Sequence, residues 1–179
     1  MRKFFYDTEF LEHRLTPGNV NAKSTIDLIS IGIVSEDGKG FYAVSNDFDL
    51  YSAVRSDFLR QNVLGQLPPQ KEWKPRLNIK DEILDFLKPT KEDPVQLWAY
   101  YADYDHVVLC WLFGRMIDLP KGMPMYTMDL KQLAMHLGNP ELPKQREGEH
   151  HALADANWDR EVYLFLKQYA EENGFKLEI

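Results

Sequence analysis

The sequence predicts an α/β fold: a mixed sheet of five or six strands, antiparallel at first and parallel later, with helices packed against it. Three observations carry this expectation. Three apolar segments within the first 45 residues are joined by short connections, the pattern of an antiparallel meander. Beyond residue 90, strand-like and helix-like segments alternate, which calls for parallel strands with helical crossovers. Hydrophobic residues make up 44% of the 179 and aromatics 13%, enough to build a packed core and too much for a disordered or fibrous chain.

Each element has its own warrant. The apolar FFY at 4–6 runs into a charged D-T-E at 7–9, as a strand does when it emerges from a core into a polar site. A polar stretch containing Pro17, Gly18, Asn19 and Asn21 separates it from a second strand at 26–34 (IDLISIGIV). Glu36, Asp37 and Gly38 form a turn, and 40–45 (GFYAVS) completes a hairpin. Segment 52–64 carries Val54, Phe58, Leu59 and Val63 at near-helical spacing, with Pro68-Pro69 as its stop. In 78–87, Ile79, Ile83, Leu84 and Leu87 lie on one helical stripe behind Asn78 as N-cap, and Pro89 closes it. A fourth strand is expected at 95–101, and a short buried helix at 105–113 stopped by Gly114. A fifth strand at 125–127 leads to a helix at 129–137, ended by Gly138, Asn139 and Pro140. After a loop at 141–149, a last helix begins near His151 and runs past Lys167. With no repeat, low-complexity tract or Gly/Ser linker, residues 1–179 read as one domain.

The formal charge is −7, from 21 basic and 28 acidic residues. Such a chain repels polyanions at long range, so passive coating of nucleic acid is disfavoured; a nucleic-acid role needs local positive charge. No apolar run approaches the ~20 residues of a membrane helix. Asp7 arrives before an export signal could form its apolar centre. A single cysteine, Cys110, excludes an internal disulfide and a multi-cysteine zinc site, and the expected setting is the reducing cytoplasm.

Three groups of residues carry chemistry. Asp7 and Glu9, two apart on a strand, share one face while Thr8 points to the other. Adjacent carboxylates raise each other's pKa unless a cation neutralises them, and oxygen ligands of this kind suit Mg²⁺ or Mn²⁺; the plainer alternative is two solvated acids at a strand end. Asp105 follows a buried aromatic strand in WAYYADYD, with Asp103 its rival two residues earlier and helix capping the plainer role. Asp155 lies in HHALADANW, where Ala152, Ala154 and Ala156 allow the last helix to approach another element closely. His150 falls about 140° from Asp155 on a continuous helix and so belongs in the loop before it, free to reach a substrate, whereas His151 is i,i+4 with Asp155.

The ordered set Asp7, Glu9, Asp105, His150 and Asp155, carried by YDTEF, the YD of ADYDHVVL and HHALADA with LISIGIV as spacer strand, resembles the DEDDh, ribonuclease T-like group of 3′-to-5′ exonucleases on the ribonuclease H-like fold. More closely, FFYDTEF, IDLISIGIVSEDG, FYAVS, LWAYYADYDHVVLC and HALADA resemble the compact 3′-to-5′ exoribonuclease family known from mycobacteria, other bacteria and phages. The likeness runs from Lys3 to about Leu166. Two departures stand out: Phe10-Leu11 follows D-x-E where many relatives have Thr-Thr-Gly, and Tyr101, Ala102 and Asp103 occupy the place of a frequent Asn. Tyr104 aligns Asp105, rather than Asp103, with the family acid.

The resemblance implies hydrolysis of single-stranded RNA or 3′ overhangs to nucleoside 5′-monophosphates with two Mg²⁺ ions, Mn²⁺ substituting. In that scheme Asp7 bridges both ions, Glu9 and Asp155 complete one, and Asp105 holds the second directly or through water. His150 takes the proton of the attacking water, a task suited to a side chain that ordinarily titrates near 6.5. Thr8 and Phe10 would bind the terminal nucleotide, Phe10 by stacking, with Lys144 and Arg146 as phosphate contacts. The same chemistry on DNA is the nearest alternative, since only contact to the 2′-hydroxyl separates the two. A nuclease-like fold that only binds nucleic acid or another partner is the alternative of a different class. Several relatives are homodimers, with residues 111–113 or the Trp73 region as the expected surface here.

Overall fold

A computed structural model describes residues 1–16, 21–145 and 147–177. Five strands, β1 (Arg2–Arg14), β2 (Ser24–Ser35), β3 (Gly40–Val44), β4 (Val95–Ala99) and β5 (Met128–Asp129), form one sheet in the order β3-β2-β1-β4-β5. The first three are antiparallel neighbours, whereas β1–β4 and β4–β5 are parallel, so the meander gives way to crossovers as expected. The helices are α1 (Leu50–Ala53), α2 (Arg76–Leu87), α3 (Asp103–Phe113), α4 (Leu130–His136) and α5 (Ala152–Glu172). None of the described helices is long and apolar enough to cross a membrane. Pro17, Gly18 and Asn19 lie outside the described residues.

β1 is the central strand and is buried on both faces. Phe4 and Tyr6 pack with Ile31 of β2, Ile83 of α2 and Val108 and Leu109 of α3. Phe5 packs the other way, with Trp98 of β4 and Val162 and Tyr163 of α5. This alternation continues into the polar middle of the strand: Asp7 and Glu9 take the α5 face and Thr8 the α3 face. A third cluster, Leu11, Ile29, Phe48, Ala53, Leu59 and Val63, fills the end of the sheet beneath α1.

Local boundaries differ from the sequence expectation where side chains compete for the backbone. The helix expected at 52–64 is broken: α1 stops at Ala53, and a π-helical turn (Leu59–Val63) and a 3₁₀ turn (Leu64–Gln66) follow. Ser52 Oγ donates to Asp49 Oδ2 at 2.5 Å and Ser56 Oγ accepts from the Leu59 N–H at 3.4 Å, local bonds that substitute for helix continuation. Leu59 and Val63 are buried while Val54 and Phe58 face outward. Asn78 is not the cap of α2, which starts at Arg76 with its N–H satisfied by Asp47 Oδ2 at 2.7 Å. β4 ends at Ala99 and α3 begins at Asp103, so Asp105 sits in the first turn of α3 and caps nothing. β5 lies at 128–129 rather than 125–127, because Asp129 accepts the Gln132 N–H at 2.8 Å and so marks the end of the strand and the cap of α4.

One close approach positions α5. Gly32 of β2 lies opposite Asp7 of β1, and a Cβ there would fall 2.3 Å from Leu153 N and 2.4 Å from the Ala152 carbonyl. The first turn of α5 therefore rests directly on the main chain of β2, with Ala152 and Ala156 fully buried, and this brings Asp155 to Asp7 and Glu9 in the middle of β1. Gly32→Ala forces α5 off the sheet. It should cost about 1–3 kcal/mol or more in urea unfolding, and activity should fall with it; a variant as stable as the parent would remove this contact from the account.

Candidate active site

The carboxylates converge from three elements. Asp7 and Glu9 come from the middle of β1, just past the stretch that pairs with β4, rather than from the strand end the sequence suggested; Asp155 comes from the first turn of α5, and each of the three offers an oxygen within 4.8 Å of the others. A bulge at Ile29 of β2, between the partners of Glu9 and Phe10, changes the register just past these acids. Asp105 stands beside them on α3. Its Oδ1 accepts both the Thr8 N–H, at 2.9 Å, and the Thr8 hydroxyl, at 2.6 Å. Asp105 is buried and Asp103 exposed, so of the two rivals Asp105 is the one in the site. Both donors of Thr8 are taken by this acid; the substrate contact expected of Thr8 gives way to a role in holding Asp105.

His150, with φ of +65°, turns the chain just before α5, and its ring meets that of Phe58 edge-on at 4.9 Å and 77°. It lines a cavity of about 470 Å³ together with Asp7, Asp155, Asp159, Lys144 and Gln145. His151 occupies the N-cap position, and its ring lies nearly flat on Tyr42 at 4.5 Å, beside a different cavity that includes Trp73. The loop before them is tied to its surroundings: the Trp158 indole donates to the Pro143 carbonyl and the Gln66 amide to that of Glu149, each at 2.8 Å, and the Gln145 amide donates to Asp155 Oδ1 at 2.5 Å. Arg146 lies outside the described residues. Phe10 stacks on Tyr104, centroids 5.6 Å apart and planes within 9°, and borders a cavity of about 270 Å³ shared with Glu9, Glu12, Ser56 and Phe58.

The electrostatics follow from burial. Asp7 is held well above the usual carboxylate range by burial first and then by the charges of Asp105, Glu9 and Asp155. Glu9 is pushed up to about 8 by burial and by Asp155 and Asp105. Asp105 rises to about 6, burial outweighing the two Thr8 bonds that favour its ionised form. Asp155 is raised by burial, opposed by Gln145 and the His150 charge. A hard divalent cation fits this donor set: its charge removes the repulsion, and carboxylate oxygens are its preferred ligands.

Three residues of the site escape a reading by motif. Asp159, 2% exposed, accepts the Tyr100 N–H at 3.2 Å; its i,i+4 relation to Asp155 on the last helix was the available signal. Gln145 and Phe58 reach the site through loop and turn geometry, for which no periodicity exists.

A family model, the 3′-5′ exoribonuclease Rv2179c-like domain, matches residues 2–166. The chain belongs to this family. The Rv2179c-like region contains every residue of the acid cluster and His150. The 3′-5′ exoribonuclease Rv2179c of Mycobacterium tuberculosis is 41% identical over 156 residues, 86% of each chain. Among solved structures, a 3′-exonuclease described in 3′-end recognition of a histone mRNA stem-loop superposes with TM-score 0.55 at 13% identity, covering 95% of this chain and 64% of that one. Exonuclease I gives TM-score 0.56 at 13% identity, covering 96% and 43%. These distant likenesses establish the ribonuclease H-like fold. Membership of the Rv2179c-like exoribonuclease family implies divalent metal ions, and the acidic cluster is the place suited to them.

With Glu9 at about 8, the cation-free site holds protons at neutral pH that a bound cation must displace. Mn²⁺ binding should therefore release protons, and apparent affinity should climb with pH up to about 8, by roughly tenfold per unit for each proton displaced. Calorimetry in two buffers of different ionisation enthalpy reads this release; binding without it would contradict the assigned protonation.

Proposed function

We propose that the chain is a metal-dependent exoribonuclease that removes nucleoside 5′-monophosphates one at a time from the 3′ end of single-stranded RNA or a 3′ overhang. The supporting observation is the desolvated set Asp7, Glu9 and Asp155, with Asp105 beside it and His150 lining the same cavity, in a chain of the Rv2179c-like exoribonuclease family. Mg²⁺, or Mn²⁺ in its place, would lower the pKa of the attacking water and stabilise the charge on the departing oxygen. Asp7, whose carboxylate feels the charges of Asp105, Glu9 and Asp155, would be shared between the metal ions. Glu9 and Asp155 would complete one coordination shell and Asp105 the second.

His150 would accept the proton of the attacking water. As the new bond to phosphorus forms, the bond to the 3′-oxygen of the preceding nucleotide breaks, and that oxygen leaves as a hydroxyl. Phe10, braced face to face by Tyr104, offers a plane for the terminal base, with Phe58 across the same cavity. Lys144, at the edge of the cavity that His150 lines, is suited to a phosphate. We assign the whole of 1–179 to one exonuclease domain working in a reducing, cytoplasmic setting.

Asp7→Ala or EDTA should abolish release of mononucleotides from a 3′-labelled RNA oligonucleotide, and matched DNA should be degraded more slowly. Hydrolysis surviving both treatments would end the metal mechanism, and faster loss of DNA would transfer the activity to that substrate. In the same assay His150→Ala should lower kcat by about 10²–10⁴-fold, against a small effect of His151→Ala; the reverse order would move the general base to His151.

A second copy of the chain is the proposed protein partner. Val107 and Trp111 of α3 and the following Met116 and Ile117 expose apolar side chains on one side of the molecule, 41% for Trp111 and 70% for Ile117. Sedimentation velocity should show a dimer that Trp111→Glu dissociates; a monomer at all concentrations would refute it.

A further inference from the structure

Asp159 is a fifth acid in the site, and metal chemistry has no evident need of it. It sits one turn beyond Asp155 on α5, is 2% exposed, and borders the same cavity as Asp7 and Asp155. A carboxylate removed from water beside four others is costly to keep, so it must do something that offsets the cost. Its Oδ2 accepts the N–H of Tyr100, the first residue after β4. Two residues on, the N–H of Ala102 donates to Asp129 Oδ2 at 2.9 Å, while the other oxygen of Asp129 caps α4. Between these anchored amides stands Tyr101, with φ of +59° and its side chain 66% exposed. A left-handed aromatic residue is strained, and surrounding contacts must impose that conformation. Here two carboxylates, one from α5 and one from the junction of β5 and α4, hold the N–H groups of the residues on either side of it. The corner so formed ends β4 and starts α3, whose first turn carries Asp105.

We infer that Asp159 is a positioning residue: with Asp129 it clamps the β4–α3 corner and thereby sets where Asp105 stands relative to Asp7, Glu9 and Asp155. The effect on catalysis rests on the exoribonuclease reading above; the clamp itself does not. What matters under this inference is the acceptor at its present reach, and the negative charge is secondary.

Two variants separate those properties. Asp159→Asn keeps an oxygen at the same distance and loses the charge, whereas Asp159→Glu keeps the charge and displaces the oxygen by one methylene. Asp159→Asn should preserve slow hydrogen exchange at the Tyr100 amide and Mn²⁺ affinity measured by calorimetry, with kcat within about fivefold of the parent. Asp159→Glu should speed exchange at Tyr100 and lower kcat by at least about tenfold with little change in KM, as misplacement of a catalytic group does. The opposite ranking, with Asp159→Asn losing Mn²⁺ affinity and Asp159→Glu retaining it, would make Asp159 a ligand and overturn the inference. So would fast exchange at Tyr100 in the parent protein. If Asp159→Glu does not fold, exchange and Mn²⁺ affinity in Asp159→Asn decide alone. A parent protein that hydrolyses no RNA would defeat the functional reading, while exchange at Tyr100 would still report on the clamp.

Discussion

The carboxylates of Asp7, Glu9 and Asp155 are held within 4.8 Å of one another and largely out of water, and their mutual repulsion is the constraint around which the fold is arranged. Left to themselves, such groups separate or take up protons. They cannot separate here, because β1 is pinned between two apolar layers and α5 lies on the bare main chain at Gly32. The same burial that raises their pKa values keeps competing water away from a cation. Readiness to bind metal and poor tolerance of its absence are two consequences of one arrangement.

The two faces of β1 divide the work. On the α5 face, alternate residues of one strand change from core (Phe5) to the acids of the cluster (Asp7, Glu9). On the α3 face, Tyr6 belongs to the core and Thr8 spends both donors on Asp105. The fourth acid is thereby oriented by the strand that supplies the first two. His150 is different in kind. It belongs to a loop held by hydrogen bonds from Trp158, Gln66 and Gln145 and by the edge of Phe58, contacts weaker and more local than the packing that holds the acids. A rigid acid cluster beside a more loosely held histidine suits the reaction proposed above, in which His150 would close on a bound strand end.

Much of this was legible in the chain. The apolar run FFY at the start of β1, the hairpin turn at Glu36 to Gly38, and the alanines around Asp155 each express a local rule, and at each place the expected element formed. The failures share a cause. At 52–64 the apolar spacing suggested one helix, but α1 stops at Ala53 and Ser56 accepts the Leu59 N–H locally, so the segment is divided. Asn78 looked like a cap, yet the amide in need of an acceptor belongs to Arg76 and finds Asp47, 29 residues away. The fourth strand, expected to run to Tyr101, stops at Ala99, because the chain turns at Tyr101 in a left-handed conformation.

The sequence by itself determined the succession of an antiparallel meander and then parallel strands, that Asp7 and Glu9 share a face opposite Thr8, and the types of residue available for chemistry, because these depend on periodicity and composition. Only the tertiary structure decided which acids meet, that Asp159 joins them, and that His150 and His151 face different cavities. Those outcomes depend on contacts between segments far apart in the chain: Gly32 against Leu153, Tyr100 against Asp159, Phe58 against His150. No local pattern encodes such distances, since they arise only when separate elements compete for the same space around one buried cluster of charge.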